Sequence, residues 1–257
     1  MTKLLTLPLL AFSLFAASPV GAGEIDPHRK AEKMVILPRK EIEMLGWTLR
    51  VDERLMPGGE MHEEIGARAL SLVKTHLGRI IEVVPPAALA ELRKVPIVLD
   101  EHPQLVPAQY HPSSEWLKDH LYDPSLGECV QISRASFFIS PERVQWQQAV
   151  VLHELAHAYH HQVLGHSYEP VEKAFANAEA SGIYEDVLHA SGKMTRHYAL
   201  TNSKEFFAEA TEAWFAANDF YPFVRAELRR HDPETYEAIE KAWFHPFAEP
   251  ETDSDSK

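Results

Sequence analysis

The chain has almost no cysteine: Cys129 is the only one in 257 residues. One thiol cannot close an internal disulfide, so a disulfide-stapled fold is excluded and stability must come from packing or a metal. Cys129 sits in strand-like sequence, Glu128-Cys129-Val130-Gln131-Ile132-Ser133, where a buried structural thiol is expected rather than a nucleophile. Basic residues are also in deficit, 25 against 38 acids, which leaves a formal charge of −13. That balance argues against a nucleic-acid surface and against an anionic membrane partner. No internal repeat is evident. The apolar stretch from Leu4 to Ala17 falls short of the roughly 20 residues that span a bilayer. With Lys3 before it and Val20-Gly21-Ala22 after it, the stretch reads as a cleavable export signal over residues 1–22. The expectation is an exported protein, secreted or periplasmic, with no stable membrane insertion after cleavage.

What the chain does hold is His153-Glu154-Leu155-Ala156-His157 within an apolar, alanine-rich run. Histidines at i and i+4 lie one helical turn apart on one face, so both imidazoles can reach one metal ion. The glutamate between them projects beside that ion, where it can take a proton from water. Ser140-Pro141-Glu142 carries the marks of a helix start, and Gly165 those of a stop. Val144, Val150, Val151, Leu155, Tyr159 and Leu164 supply the apolar face between them. The pattern predicts one long, partly buried helix.

Around that helix the reading is of α+β class. Residues 23 to about 45 look like a polar arm. Trp47–Val51 and Val95–Leu99 read as strands, the second near a sheet edge because of Pro96. Glu63–Val84 has helical spacing and ends at Pro85-Pro86. Residues 102–127, with four prolines, look like a long irregular surface segment. Cys129–Ile139 offers more strand, and Ser133–Ser140 is a candidate edge for pairing with an extended peptide. Helices are expected at about 171–189, 203–217, 222–230 and 233–243. The corresponding domains are a signal at 1–22, an extension and start of the sheet at 23–94, a catalytic domain at 95–245 and an acidic tail at 246–257.

Catalytic zinc takes three protein ligands and keeps an open position. One extended pattern would need glycine at 160 and histidine at 163, but His160 and Val163 stand there. His160 and His161 are expected at a solvated edge. The best source of a third ligand is the stretch from His197 to Glu212, with Glu205, Glu209 and Glu212 on one helical face. Asn202 and Glu205 also have the spacing of a capping box, and spacing does not choose between Glu205 and Glu209 as ligand.

HELAH joined to Tyr198, six residues, then Glu205-Phe206-Phe207-Ala208-Glu209 resembles the catalytic domain of anthrax lethal factor and the related secreted Pro-Pro endopeptidases. The likeness covers about residues 95–220. It implies a zincin-like metallopeptidase domain, a small sheet packed on the HExxH helix with a mainly helical C-terminal half. It implies one zinc ion on His153, His157 and Glu205, with Glu154 as general base. It also implies Tyr198 as donor to the oxyanion, and Glu209 holding the distal N–H of a ligand histidine. The expected activity is hydrolysis of peptide or protein substrates. The alternative is a non-proteolytic, zinc-binding regulatory protein on the same scaffold. Tyr110, His111 and Trp116 are candidates for a specificity pocket, or for local packing.

Overall fold

Alternating burial along Trp47–Asp52 makes that segment a strand with one face in the core, and three wholly buried residues, Ile97–Leu99, make the next. In the computed structural model, which describes residues 33–244, these are two strands of a five-stranded mixed sheet. The strands are β1 (Arg39–Met44), β2 (Trp47–Asp52), β3 (Ile97–Leu99), β4 (Ala108–Tyr110) and β5 (Val130–Ile132), in the order β1-β2-β3-β5-β4. The three central strands run parallel, and the edges β1 and β4 are antiparallel to their neighbours. A small hairpin, β6 (Val187–Leu188) with β7 (Met194–Thr195), stands apart from the sheet.

Ten α-helices occur among the described residues: α1 (Ala67–Val83), α2 (Pro86–Leu92), α3 (Ser114–Asp119), α4 (Ala135–Phe138), α5 (Pro141–Trp146), α6 (Val150–Tyr159), α7 (Glu169–Ser181), α8 (Ser203–Phe215), α9 (Arg225–His231) and α10 (Pro233–Phe244). The class is therefore α+β. One face of the sheet, through Leu49, Val51, Ile97, Leu99, Val130 and Ile132, joins a core that runs on to Tyr159, Phe207 and Trp243. Tyr159 and Trp243 stack at 4.3 Å, tying α6 to α10. The other face, at Val98, is covered by Leu105, Leu117, Tyr122, Leu126 and Cys129.

Several expectations are corrected by this arrangement. The polar arm contains β1, whose Ile42 and Met44 pack on the core. Pro96 precedes β3 rather than lying in its ladder, so β3 is central and not near an edge. Residues 102–127 are no structureless loop: they form β4 and α3 and close the second face of the sheet. Ser133–Ser140 is no edge strand: its middle four residues form the short helix α4, and the edge strand is β4. The single helix expected from Pro141 to Leu164 breaks at Gln147–Ala149, and Val144 is left 45% exposed. The helix expected to reach 189 ends at Ser181, where Gly182 takes a left-handed φ of 70°. Apart from these corrections, β2 and β3 pair across residue 94 within the one sheet. The signal expected at 1–22 and the tail at 246–257 lie outside the described residues. Among those described, no helix is long and apolar enough to cross a membrane.

Candidate metal centre

Helix α6 is largely apolar, and all its residues except His157 are buried. His153 and Glu154 are thereby drawn into the interior, 5% and 1% exposed, where polar atoms are costly unless partnered. The partners come from α8, which packs across α6. Asn202 caps α8, its side-chain oxygen accepting the amides of Lys204 at 2.9 Å and Glu205 at 3.0 Å. The Glu205 carboxylate reaches the two histidines.

Three atoms converge there. His153 Nε2 and His157 Nε2 are 3.1 Å apart, and Glu205 Oε2 is 3.2 Å from the first and 3.3 Å from the second. Tetrahedral ligands with bonds of about 2.0–2.1 Å are spaced by about 3.3 Å, so the triangle has the dimensions of one face of such a site. His153 Nδ1 is 2.7 Å from Glu212 Oε1. An N–H donated there leaves the neutral ring with its Nε2 lone pair facing the triangle. Glu154 stands alongside. Its Oε2 accepts the backbone N–H of Tyr110 at 2.8 Å, while its buried Oε1 has no hydrogen-bond partner. The donor set of His153, His157 and Glu205 can hold a metal ion.

The electrostatics of the cluster follow from burial and from the charges packed together. Four buried carboxylates, Glu154, Glu205, Glu209 and Glu212, gather around two histidines. Burial pushes Glu205 up, but His157 and His153 outweigh it and hold the carboxyl well below its usual range. Burial pulls His153 down, and its bonds to Glu205 and Glu212 more than reverse that. Glu154 is raised by burial despite the pull of His153 and His157. Burial raises Glu209, with Glu212 adding to it, and burial also raises Glu212.

The residues named from the sequence are thus placed as follows. His153, His157 and Glu205 meet, with Glu154 beside them. Glu209 does not take the distal nitrogen of His153: it lies 3.7 Å off, whereas Glu212 bonds at 2.7 Å. Glu209 is held instead by Asn218, whose amide donates to its Oε2 at 3.0 Å and to its backbone carbonyl at 2.7 Å. A helical wheel carried the signal for Glu212: seven residues bring it within about 20° of Glu205, against about 40° for Glu209. Tyr198 opens the 3-10 turn Tyr198–Thr201 and is half-buried, next to His197, which caps that turn by accepting the Ala199 amide at 3.1 Å. His160 is not at a solvated edge but fully buried against Phe207 and His166. His161 Nδ1 lies 2.9 Å from the Tyr110 hydroxyl. His111 is buried on Gln131, and Trp116 stacks on His120, so both are packing residues. Cys129 is buried, and burial pushes its thiol up.

No protein-family model, curated protein or solved structure matches this chain.

Proposed function

We propose that the chain is a zinc-dependent metallopeptidase with a zincin-like domain, akin to the lethal-factor and Pro-Pro endopeptidase group that its motifs resemble. The observation that carries this reading is a buried, unpartnered Glu154 oxygen beside a triangle of donor atoms with edges of 3.1–3.3 Å. His153, His157 and Glu205 would hold the ion. Bound zinc supplies Lewis-acid polarisation of a peptide carbonyl and acidifies water. Glu154 Oε1 is free to accept a proton from water and return it to the leaving amine, while Oε2 stays anchored on Tyr110. Glu212 fixes the tautomer and orientation of His153. Tyr198 is assigned the oxyanion hydrogen bond on the strength of the motif. The sheet edge next to Glu154 is β4, and an extended peptide laid beside that edge, whose Tyr110 amide Glu154 already takes, is the arrangement we favour. The leader-like residues 1–22 support export.

The test is a diverse peptide library offered to the zinc-loaded protein, with Glu154→Gln as control. Turnover should fall by about a thousandfold or more in the variant while its zinc content stays at the wild-type level. Equal turnover in the two would remove Glu154 as base, and no cleavage by either would remove the peptidase reading.

A further inference from the structure

Tyr110 is bonded to the metal helix at two separate points. Its backbone N–H donates to Glu154 Oε2 at 2.8 Å. Its hydroxyl accepts from Gln162 Nε2 at 3.0 Å and lies 2.9 Å from His161 Nδ1. The phenol has one proton to give and a lone pair to spare, so both bonds can be made together. Glu154 and His161 are seven residues apart on the same run of helix, about two turns. The second point lies in His160–Leu164, where the helix widens into a single π-helical turn before Gly165 stops it. Such widened turns are frequent at functional sites.

Pairing in the sheet explains why the amide is available. His111, the next residue, bonds to the β5 side: its N–H reaches Cys129 O at 3.1 Å, and its carbonyl accepts from Glu128 N–H at 2.6 Å. Antiparallel pairing alternates, so Tyr110 turns its N–H away from β5 and towards α6. An outward amide on an edge strand would ordinarily face solvent or a pairing chain; here a buried carboxylate takes it.

From these bonds we infer that Tyr110 is the positioning residue of Glu154: its amide sets where the carboxylate stands, and its hydroxyl, clamped by His161 and Gln162, fixes the height of the edge strand against the metal helix. The inference rests on the peptidase reading for its catalytic consequence, but the Tyr110–Glu154 bond can be tested without any turnover. Geometry at a reacting centre is sensitive to displacements of about 1 Å, so loosening the clamp should act on the chemical step more than on binding.

Two measurements on the full chain decide it. The first is hydrogen exchange at the Tyr110 amide, in metal-free and zinc-loaded protein. Wild type and Glu154→Gln, whose side-chain carbonyl can still accept, should be protected alike, and Glu154→Ala should exchange about tenfold faster or more. Equal rates in wild type and Glu154→Ala would overturn the assignment even if the protein proved inactive on peptides. The second uses the best-cleaved library peptide. Tyr110→Phe should lower kcat about tenfold while KM and zinc content hold, and Gln162→Ala should do the same to a lesser degree, non-additively with it. An unchanged kcat in Tyr110→Phe, or a loss confined to KM, would refute the positioning role. A chain that cleaves nothing would defeat the peptidase reading while leaving the exchange result to stand by itself.

Discussion

At the carboxyl ends of the parallel strands, Arg39 grips Asp100 with two hydrogen bonds of 2.8 Å and Asp123 with one of 2.7 Å. Gln131 extends the cluster, donating to Asp100 at 2.8 Å and accepting from His111 Nε2 at 3.0 Å. Between α6 and α8, Glu154, Glu205, Glu209 and Glu212 surround His153 and His157. Both clusters are buried and both are rich in carboxylates. In the first, the positive partner is a guanidinium that keeps its charge at every working pH and fits a carboxylate with two parallel bonds. In the second, the partners are imidazoles, which are positive only when protonated and otherwise present lone pairs. The Arg39 cluster closes on itself. The cluster on α6 leaves Glu154 Oε1 unpartnered and brings together three donor atoms that could hold a metal ion.

The contrast can be broken from either side. Arg39→Met strips the permanent cation from Asp100, which is fully buried, and should cost about 3–5 kcal/mol in urea unfolding of the metal-free protein. A loss below about 1 kcal/mol would mean that the guanidinium is not what makes this cluster self-sufficient. Zinc at a hundred times its dissociation constant should raise stability by about 2.7 kcal/mol, in wild type and Arg39→Met alike. Glu205→Ala should forfeit that gain and Glu209→Ala should keep most of it; the opposite ranking would move the third ligand to Glu209. The smallest effect sharpens the inner detail of the second cluster. Glu212→Gln should weaken zinc about ten- to a hundredfold by titration against a chelator, and Glu209→Gln should weaken it less, because it is Glu212 that holds His153 Nδ1.

Much of the α6 cluster is legible along the chain because helices repeat. The spacing of His153 and His157 places two imidazoles on one face whatever the rest of the fold does, and the same period aligns Glu205 with Glu212. The choice of Glu209 as the residue holding a ligand histidine failed over a few tens of degrees of helix rotation, an amount set by how α8 packs on α6. The sheet was harder to read. β4 is three residues long, too short to show a period, and it exists because Gln109 and its neighbours find β5 twenty-two residues further on. β1 looks polar because Lys40, Glu41 and Glu43 face solvent on an edge strand, where charge protects against further pairing. Pro96 is no edge mark here, because the effect of a proline on a ladder depends on whether it lies inside the strand or one residue before it.

What the residues determined by themselves is the chemistry on offer: two histidines and a glutamate at helical spacing, a second acidic helix capped by Asn202, one cysteine and an acidic balance. These are local properties, governed by a period of 3.6 residues and by the donors and acceptors each side chain carries. Only the tertiary structure decided that Glu205, 52 residues beyond His153, arrives within 3.3 Å of both histidines. It also decided that the backbone of an edge strand takes hold of Glu154. Those meetings depend on how helices and strands pack across the core, and packing joins residues whose separation along the chain carries no period to read.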